Sequence, residues 1–254
     1  MSHYLAHILR DADGVTLSEQ TVSEHCRSTA KYAAEALEPI SLTASGYLAG
    51  LVHGAGKYTA NFQKHLIGRI GQRGSVNHTF AGVRLLLERF FRPGAEDFSS
   101  VVSELLALAA GGHHGLFDCV DERQKNGFQH RLVKEDIGYD EVSDAFFHFC
   151  ASQEELDQQF QAALAELTPI LEHICSMTGE ERYDQETAFY SGLLSRLLLS
   201  AVIEGDRRDT AEFLNGAQFP AKRSGDPRVY SRRQSHPGAS LQPDTDSRRW
   251  SSAG

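Results

Sequence analysis

The sequence is short of several features, and each shortage removes a class of protein. Its apolar runs do not approach the roughly 20 residues that a membrane span requires. Its start, "MSHYLAHILRDADG", lacks the basic opening and long apolar stretch of a signal peptide. The expectation is a cytoplasmic protein with no membrane partner. The cysteines, Cys26, Cys119, Cys150 and Cys175, form no CxxC pair, so neither a zinc knuckle nor a disulfide framework is expected. They read as reduced, mostly buried thiols. No segment offers a convincing period-2 strand, and there are no internal repeats. An excess of basic charge is missing too. The net charge is −9, which argues against a protein that coats duplex DNA.

The charge that is present is uneven. Residues 221–254 hold seven Lys/Arg and three Asp, whereas residues 1–220 hold 18 basic and 31 acidic residues, a net of −13. An acidic body suits cation binding. Nucleic acid would need a local basic groove or bound ions to offset the repulsion. The 254 residues suffice for one large domain or two small ones. From about Ala217 the composition turns to Pro, Gly, Ser and Arg with few apolar residues, which predicts a disordered basic tail over 217–254 and a folded domain over 1–216.

The periodicity of the body is helical, so the fold class is all-α. Thr21-Val-Ser-Glu24 reads as a capping box opening a helix to about Leu37. Tyr47, Leu48, Leu51, Val52 and Ala55 form one face of a second helix. "NHTFAGVRLLLERFF" starts a third after Asn77, and "SSVVSELLALAAGG" is a fourth, ended by its Gly pair. "SQEELDQQFQAALAELTPILEHICSM" is long and amphipathic, with a kink expected at Pro169. "DQETAFYSGLLSRLLLSAVIEGDRRDTAEFL" is the strongest helix in the chain, and residues 115–140 read as a loop excursion.

The chemistry is concentrated in histidine, of which there are 12. His53 ends the second helix, His78 begins the third, and His113 and His114 follow the fourth. His25 lies among Val22, Cys26, Thr29 and Ala33 and faces inward. A bundle can gather such side chains from separate helices into one pocket. Asp206 continues the core stripe of Leu194, Leu198 and Val202. A carboxylate there is costly unless it is paired, for instance with Arg207 or Arg208, or bound to metal. Several His with Asp suit transition metals such as Mn, Fe, Co, Ni and Zn, and such sites are typical of metal-assisted hydrolysis. His3, His7, His65, His130, His148, His173 and His236 read as surface or local structural residues.

These pieces together resemble the HD superfamily of metal-dependent phosphohydrolases. More closely, they resemble the HD nuclease domain of the CRISPR-associated helicase–nuclease of type I systems. The resemblance covers roughly residues 1–216 through "SEHCRSTA", "LAGLVHGAGKYTANFQKHL", "NHTFAGVRLL", "AGGHHGLFD" and "LLLSAVIEGDRRDTAEFL", in that order. It implies an HD-domain helical bundle with a metal pocket between the helices. It implies one ion held by His25, His53 and Asp206 and a second held by His78, His113 and His114, with His53 and Asp206 serving catalysis. It places Lys57 near the scissile phosphate and Thr79 where the family carries a small hydroxyl residue. The implied cofactors are one or two divalent ions, Mn, Ni, Co or Fe, with Mg or Zn less suited. The implied activity is metal-dependent cleavage of single-stranded DNA in antiviral interference. Its partners would be a CRISPR surveillance complex and a separate or lost helicase.

The chain departs from the family at Gly54, where the family has an Asp that bridges both ions. Two divalent cations about 4 Å apart repel by roughly 16 kcal/mol at an effective dielectric near 20. A bridging carboxylate offsets much of that, and glycine cannot. The expectation is weakened or single occupancy and impaired nuclease activity. The alternatives are an HD phosphohydrolase acting on a small nucleotide and an inactive module that binds DNA or CRISPR partners.

Overall fold

The computed structural model describes residues 4–68, 79–115, 127–132, 139–177 and 183–216. Contacts divide the chain into two units, Met1–Phe219 and Pro220–Gly254, and only the first holds described residues. The expected disordered tail therefore lies outside them.

The chain opens with two antiparallel strands, β1 (Leu5–Arg10) and β2 (Thr16–Thr21). Asp11 Oδ1 closes the turn by accepting from the backbone N–H groups of Asp13 (3.0 Å) and Val15 (2.8 Å). This hairpin corrects the expectation that no strand is present. The register shifts between Leu5 and His7 and again between Leu9 and Arg10. Each shift resets the inside–outside alternation, so no period-2 pattern survives in the sequence. Most of β2 is exposed and polar, which removes the remaining signal.

The other regular elements among the described residues are helical, most of them as read from the periodicity. Helix α1 (Val22–Leu37) starts at the capping box. Thr21 Oγ1 accepts from Glu24 N at 3.2 Å, and Glu24 Oε2 accepts from Thr21 N at 2.9 Å. Helix α2 (Thr43–Val52) has no side-chain cap of its own. Glu166, from helix α8 (Gln153–Met177), supplies one: its carboxylate accepts from Ala44 N (2.7 Å) and Ser45 N (2.8 Å). Pro169 sits inside α8 without ending it. Helix α3 (Ala60–Gly68) follows a short 3₁₀ turn, Ala55–Tyr58. Helices α4 (Phe80–Phe90) and α5 (Ser99–Gly111) pack together. The expected loop excursion contains helix α6 (Gly127–Leu132), and helix α7 (Tyr139–Phe149) begins at its end. Helix α9 (Tyr183–Asn215) is the longest among the described residues.

Helix α1 lies between α2 and α9, and small residues set how closely the three approach. A Cβ at Gly50 would stand 2.8 Å from Ala30 Cα, and one at Gly205 would stand 2.6 Å from the Thr29 carbonyl oxygen. Both glycines therefore bring their helices to backbone contact with the same turn of α1. That turn follows His25 by one helical repeat, while His53 follows Gly50 and Asp206 follows Gly205. The packing that closes the core also gathers the polar residues.

The stretch Gln185–Asn215 of α9 is long and apolar enough to cross a bilayer by those two measures. That revises the expectation that no such run exists. In this fold its Leu194, Leu198, Leu199, Ala201 and Val202 are buried in the core with residues of α1, α2, α4, α5 and α8.

Candidate metal centre

His25 on α1, His53 at the end of α2 and Asp206 on α9 meet at one point. Asp206 Oδ1 is 3.4 Å from His25 Nε2 and 3.6 Å from His53 Nε2, and the two Nε2 atoms are 3.1 Å apart. Both imidazoles are fully buried, and the Asp206 side chain is 19% exposed. Arg208 is not the partner of Asp206. It pairs with Glu35 (3.1 Å) and Glu212 (3.2 Å) and stacks on Tyr32.

The histidines share a tautomer-setting arrangement. His53 Nδ1 lies 2.6 Å from the Gly50 carbonyl oxygen, and His113 Nδ1 lies 2.6 Å from that of Ala110. His25 Nδ1 lies 2.6 Å from Asp209 Oδ2. Each acceptor takes a proton from Nδ1, which leaves Nε2 with its lone pair directed inward. Two such lone pairs and a carboxylate facing one another favour a cation among them, and the Lys57 amine, 2.8 Å from His25 Nε2, meets part of that demand. The donor set therefore fits a metal ion.

Among the described residues three groups could hold such an ion, with the ligand atoms of each group within 4.8 Å of one another. The first is His25, His53 and Asp206, one of the two sets expected. The second is His113, His114 and Asp206, which adds Asp206 to the paired histidines. His78, expected in that set, lies outside the described residues, while Thr79 beside it is buried at the start of α4. Asp206 thus belongs to both groups. His113 is buried, and His114 is exposed.

The third group is His7, His25 and Asp209. His7 was read as a surface or local residue. It is half-buried on β1, with its ring edge-on to His25 at 4.8 Å between centroids. The hidden strand concealed it. Asp209, also missed, is buried on α9, and Gln20 Nε2 of β2 donates to both its oxygens, at 3.0 and 3.1 Å. Its spacing from Asp206, i to i+3 on one helix, was the available signal.

Lys57 is brought into the same pocket by the 3₁₀ turn. Its Nζ is 2.8 Å from His25 Nε2. Gln63 on α3 braces that turn: its Nε2 donates to the carbonyl oxygens of Lys57 (2.7 Å) and Leu5 (2.9 Å), and its Oε1 accepts from Leu5 N (3.0 Å). Burial lowers the affinity of the Lys57 amine for its proton, against the attraction of Asp206 and neighbouring groups. Burial alone would push the Asp206 carboxyl up. The polar neighbours His53, His25 and Lys57 outweigh it and hold the carboxyl well below the usual range. Burial pushes Asp209 up to about 6, against hydrogen bonds from Gln20 and Ser28. Burial lowers His25 and His113 well below the ordinary imidazole value and takes His7 down to about 3.

Gly54 faces the same point. A Cβ there would stand 3.8 Å from His25 Nε2, 3.5 Å from His25 Cδ2 and 3.1 Å from Cys26 Sγ. Any side chain at position 54 would project among the ligands, and Cys26 restricts the space.

No protein-family model matches the chain, and no curated protein matches it. The centre is defined by its own geometry.

Proposed function

We propose that this is a metal-dependent phosphohydrolase of HD type, with its metal pocket between α1, α2, α5 and α9, and that it cuts phosphodiester bonds in single-stranded DNA. The observation that supports this best is the convergence of His25 Nε2, His53 Nε2 and Asp206 with His113, His114 and Lys57. His25, His53 and Asp206 would hold one divalent ion. His113 and His114 would hold another, with Asp206 placed to touch both. The imidazole-rich set suits Mn, Ni, Co or Fe over Mg.

A bound divalent ion supplies Lewis acidity and a water ionised near neutral pH. The chain supplies the rest. The Nδ1 acceptors orient the imidazoles. Lys57 brings a cation to the pocket beside His25, where it can balance a phosphate oxygen. The buried walls exclude bulk water, and exposed His114 marks the side from which a strand can approach. An acidic body repels a duplex but can accept one strand across bound cations. The reading extends to a cytoplasmic role in CRISPR interference, in which a surveillance complex and a separate helicase present the strand. Gly54 weakens the bridge between the ions, so turnover should be slow.

The test is incubation of the purified chain with Mn, Ni or Co and circular single-stranded DNA, beside a Gly54→Asp, Cys26→Ala variant. Faster cleavage by the variant supports the nuclease. Turnover of mononucleotides with DNA untouched assigns the site to small nucleotides. Stoichiometric metal with no hydrolysis of either substrate by either protein leaves a binding module.

A further inference from the structure

We infer that Asp209, clamped by Gln20, is the positioning residue that makes His25 a metal ligand. The inference rests on the metal centre proposed above, but its contacts are independent of the reaction. His25 Nδ1 and Asp209 Oδ2 are 2.6 Å apart, and both groups are buried. On the opposite edge of the ring, Lys57 Nζ is 2.8 Å from Nε2. The carboxylate can only accept, so the ring proton is on Nδ1 and Nε2 faces Lys57 with its lone pair. The Asp209 edge of His25 sets the tautomer.

Gln20 holds the carboxylate in place. Its amide nitrogen reaches both Asp209 oxygens, at 3.0 and 3.1 Å. A reversed amide would set Oε1 against those oxygens. Of the three imidazoles with an assigned Nδ1 partner, His25 alone has a carboxylate, and His53 and His113 have backbone carbonyls. A carboxylate acceptor raises the basicity of the opposite nitrogen more than a neutral carbonyl does. His25 is thereby a stronger donor than His53, whose Nδ1 partner is a backbone carbonyl. A neutral ring cannot serve His53 and Asp206 through Nε2 while also serving an ion between His7 and Asp209 through Nδ1. The geometry favours the inner use.

The test is ¹⁵N NMR of the histidine rings in the full chain under chelation, with Mn and Ni binding followed by calorimetry. In the wild type His25 should carry its proton on Nδ1. In Asp209→Asn, Gln20 retains the asparagine oxygen and turns its NH₂ toward Nδ1. The proton should then move to Nε2, and affinity should fall about 10–100-fold. Gln20→Leu keeps the carboxylate but releases it, and should weaken binding by a smaller factor. It also serves as the measurement if Asp209→Asn does not fold. An Asp209→Asn protein with a lowered melting temperature but unchanged tautomer and metal affinity would overturn the inference. So would a wild-type His25 protonated on Nε2, which would place an ion on the His7 side. Failure of the wild type to bind either metal overturns both this inference and the metal centre. Binding without DNA cleavage by either the wild type or the Gly54→Asp, Cys26→Ala variant overturns the nuclease alone.

Discussion

His25 divides its surroundings into two flanks that treat a carboxylate in opposite ways. On the inner flank, His53, His25 and Lys57 together hold Asp206 ionised against burial. On the outer flank, burial dominates and Asp209 is pushed up to about 6. The two acids are three residues apart on one helix. Their difference comes from which edge of one imidazole each meets, not from local sequence. The inner flank collects lone pairs and suits a cation. The outer flank collects donors around an acceptor and suits orientation.

The largest effect should come from breaking the inner flank. Asp206→Ala removes a ligand common to two candidate groups. Mn binding by calorimetry should fall by more than the roughly 100-fold limit for losing an orienting partner. Asp209→Asn should fall within that limit, and equal losses in the two variants would erase the distinction between the flanks.

Position 54 sharpens the same comparison. A Gly54→Asp side chain points into the inner flank but meets Cys26 Sγ, 3.1 Å from its Cβ. Urea unfolding should show a loss of about 1–3 kcal/mol from overpacking. Adding Cys26→Ala should recover part of it. Full stability of the single variant would show that the pocket has room.

Acid should weaken the buried imidazoles, while Asp209, pushed up to about 6, works in the opposite sense below that pH. His7, His25 and His113 have folded pKa values below the unfolded value of 6.5, with His7 at about 3. Below pH 6.5 the unfolded chain binds more protons. Stability of the chelated protein should therefore fall as pH drops, by up to about 1.4 kcal/mol per unit for each such group. For His7 the loss continues to about pH 3. Urea titrations at pH 7 and 5.5 measure the slope, and His7→Gln should flatten it. A pH-independent midpoint would show that these imidazoles are not buried neutral.

The smallest effect belongs away from the centre. Arg89 bonds Asp157 through two nitrogens, at 2.6 and 2.7 Å, but Asp157 is half exposed. Asp157→Ala should cost about 0.2–1 kcal/mol and leave metal binding unchanged.

How much of this was legible depended on periodicity. The helices that carry His25 and Asp206 could be read because their apolar residues recur on one face. Thr21 and Glu24 marked where α1 begins. Asp206 stood out because an acid interrupted a core stripe. The hairpin was hidden because its bulges cancel strand alternation, and His7 and Gln20 were hidden with it. Asp209 was overlooked because its role depends on a contact with Gln20 across 189 positions, which no local pattern encodes. Asp206 also falls into two candidate groups rather than one. The sharing of Asp206 between groups follows from the approach of α5 and α9, not from spacing along the chain.

That separation has a consequence for the life of the protein. His25 emerges early in translation, but its orienting acid is 184 residues downstream and its inner ligand is in the same late helix. A nascent chain can form α1 and α2 while the candidate ion site is still incomplete. Competence arrives only when α9 docks. One proteolytic cut before Asp206 would disarm the centre while sparing every histidine in it.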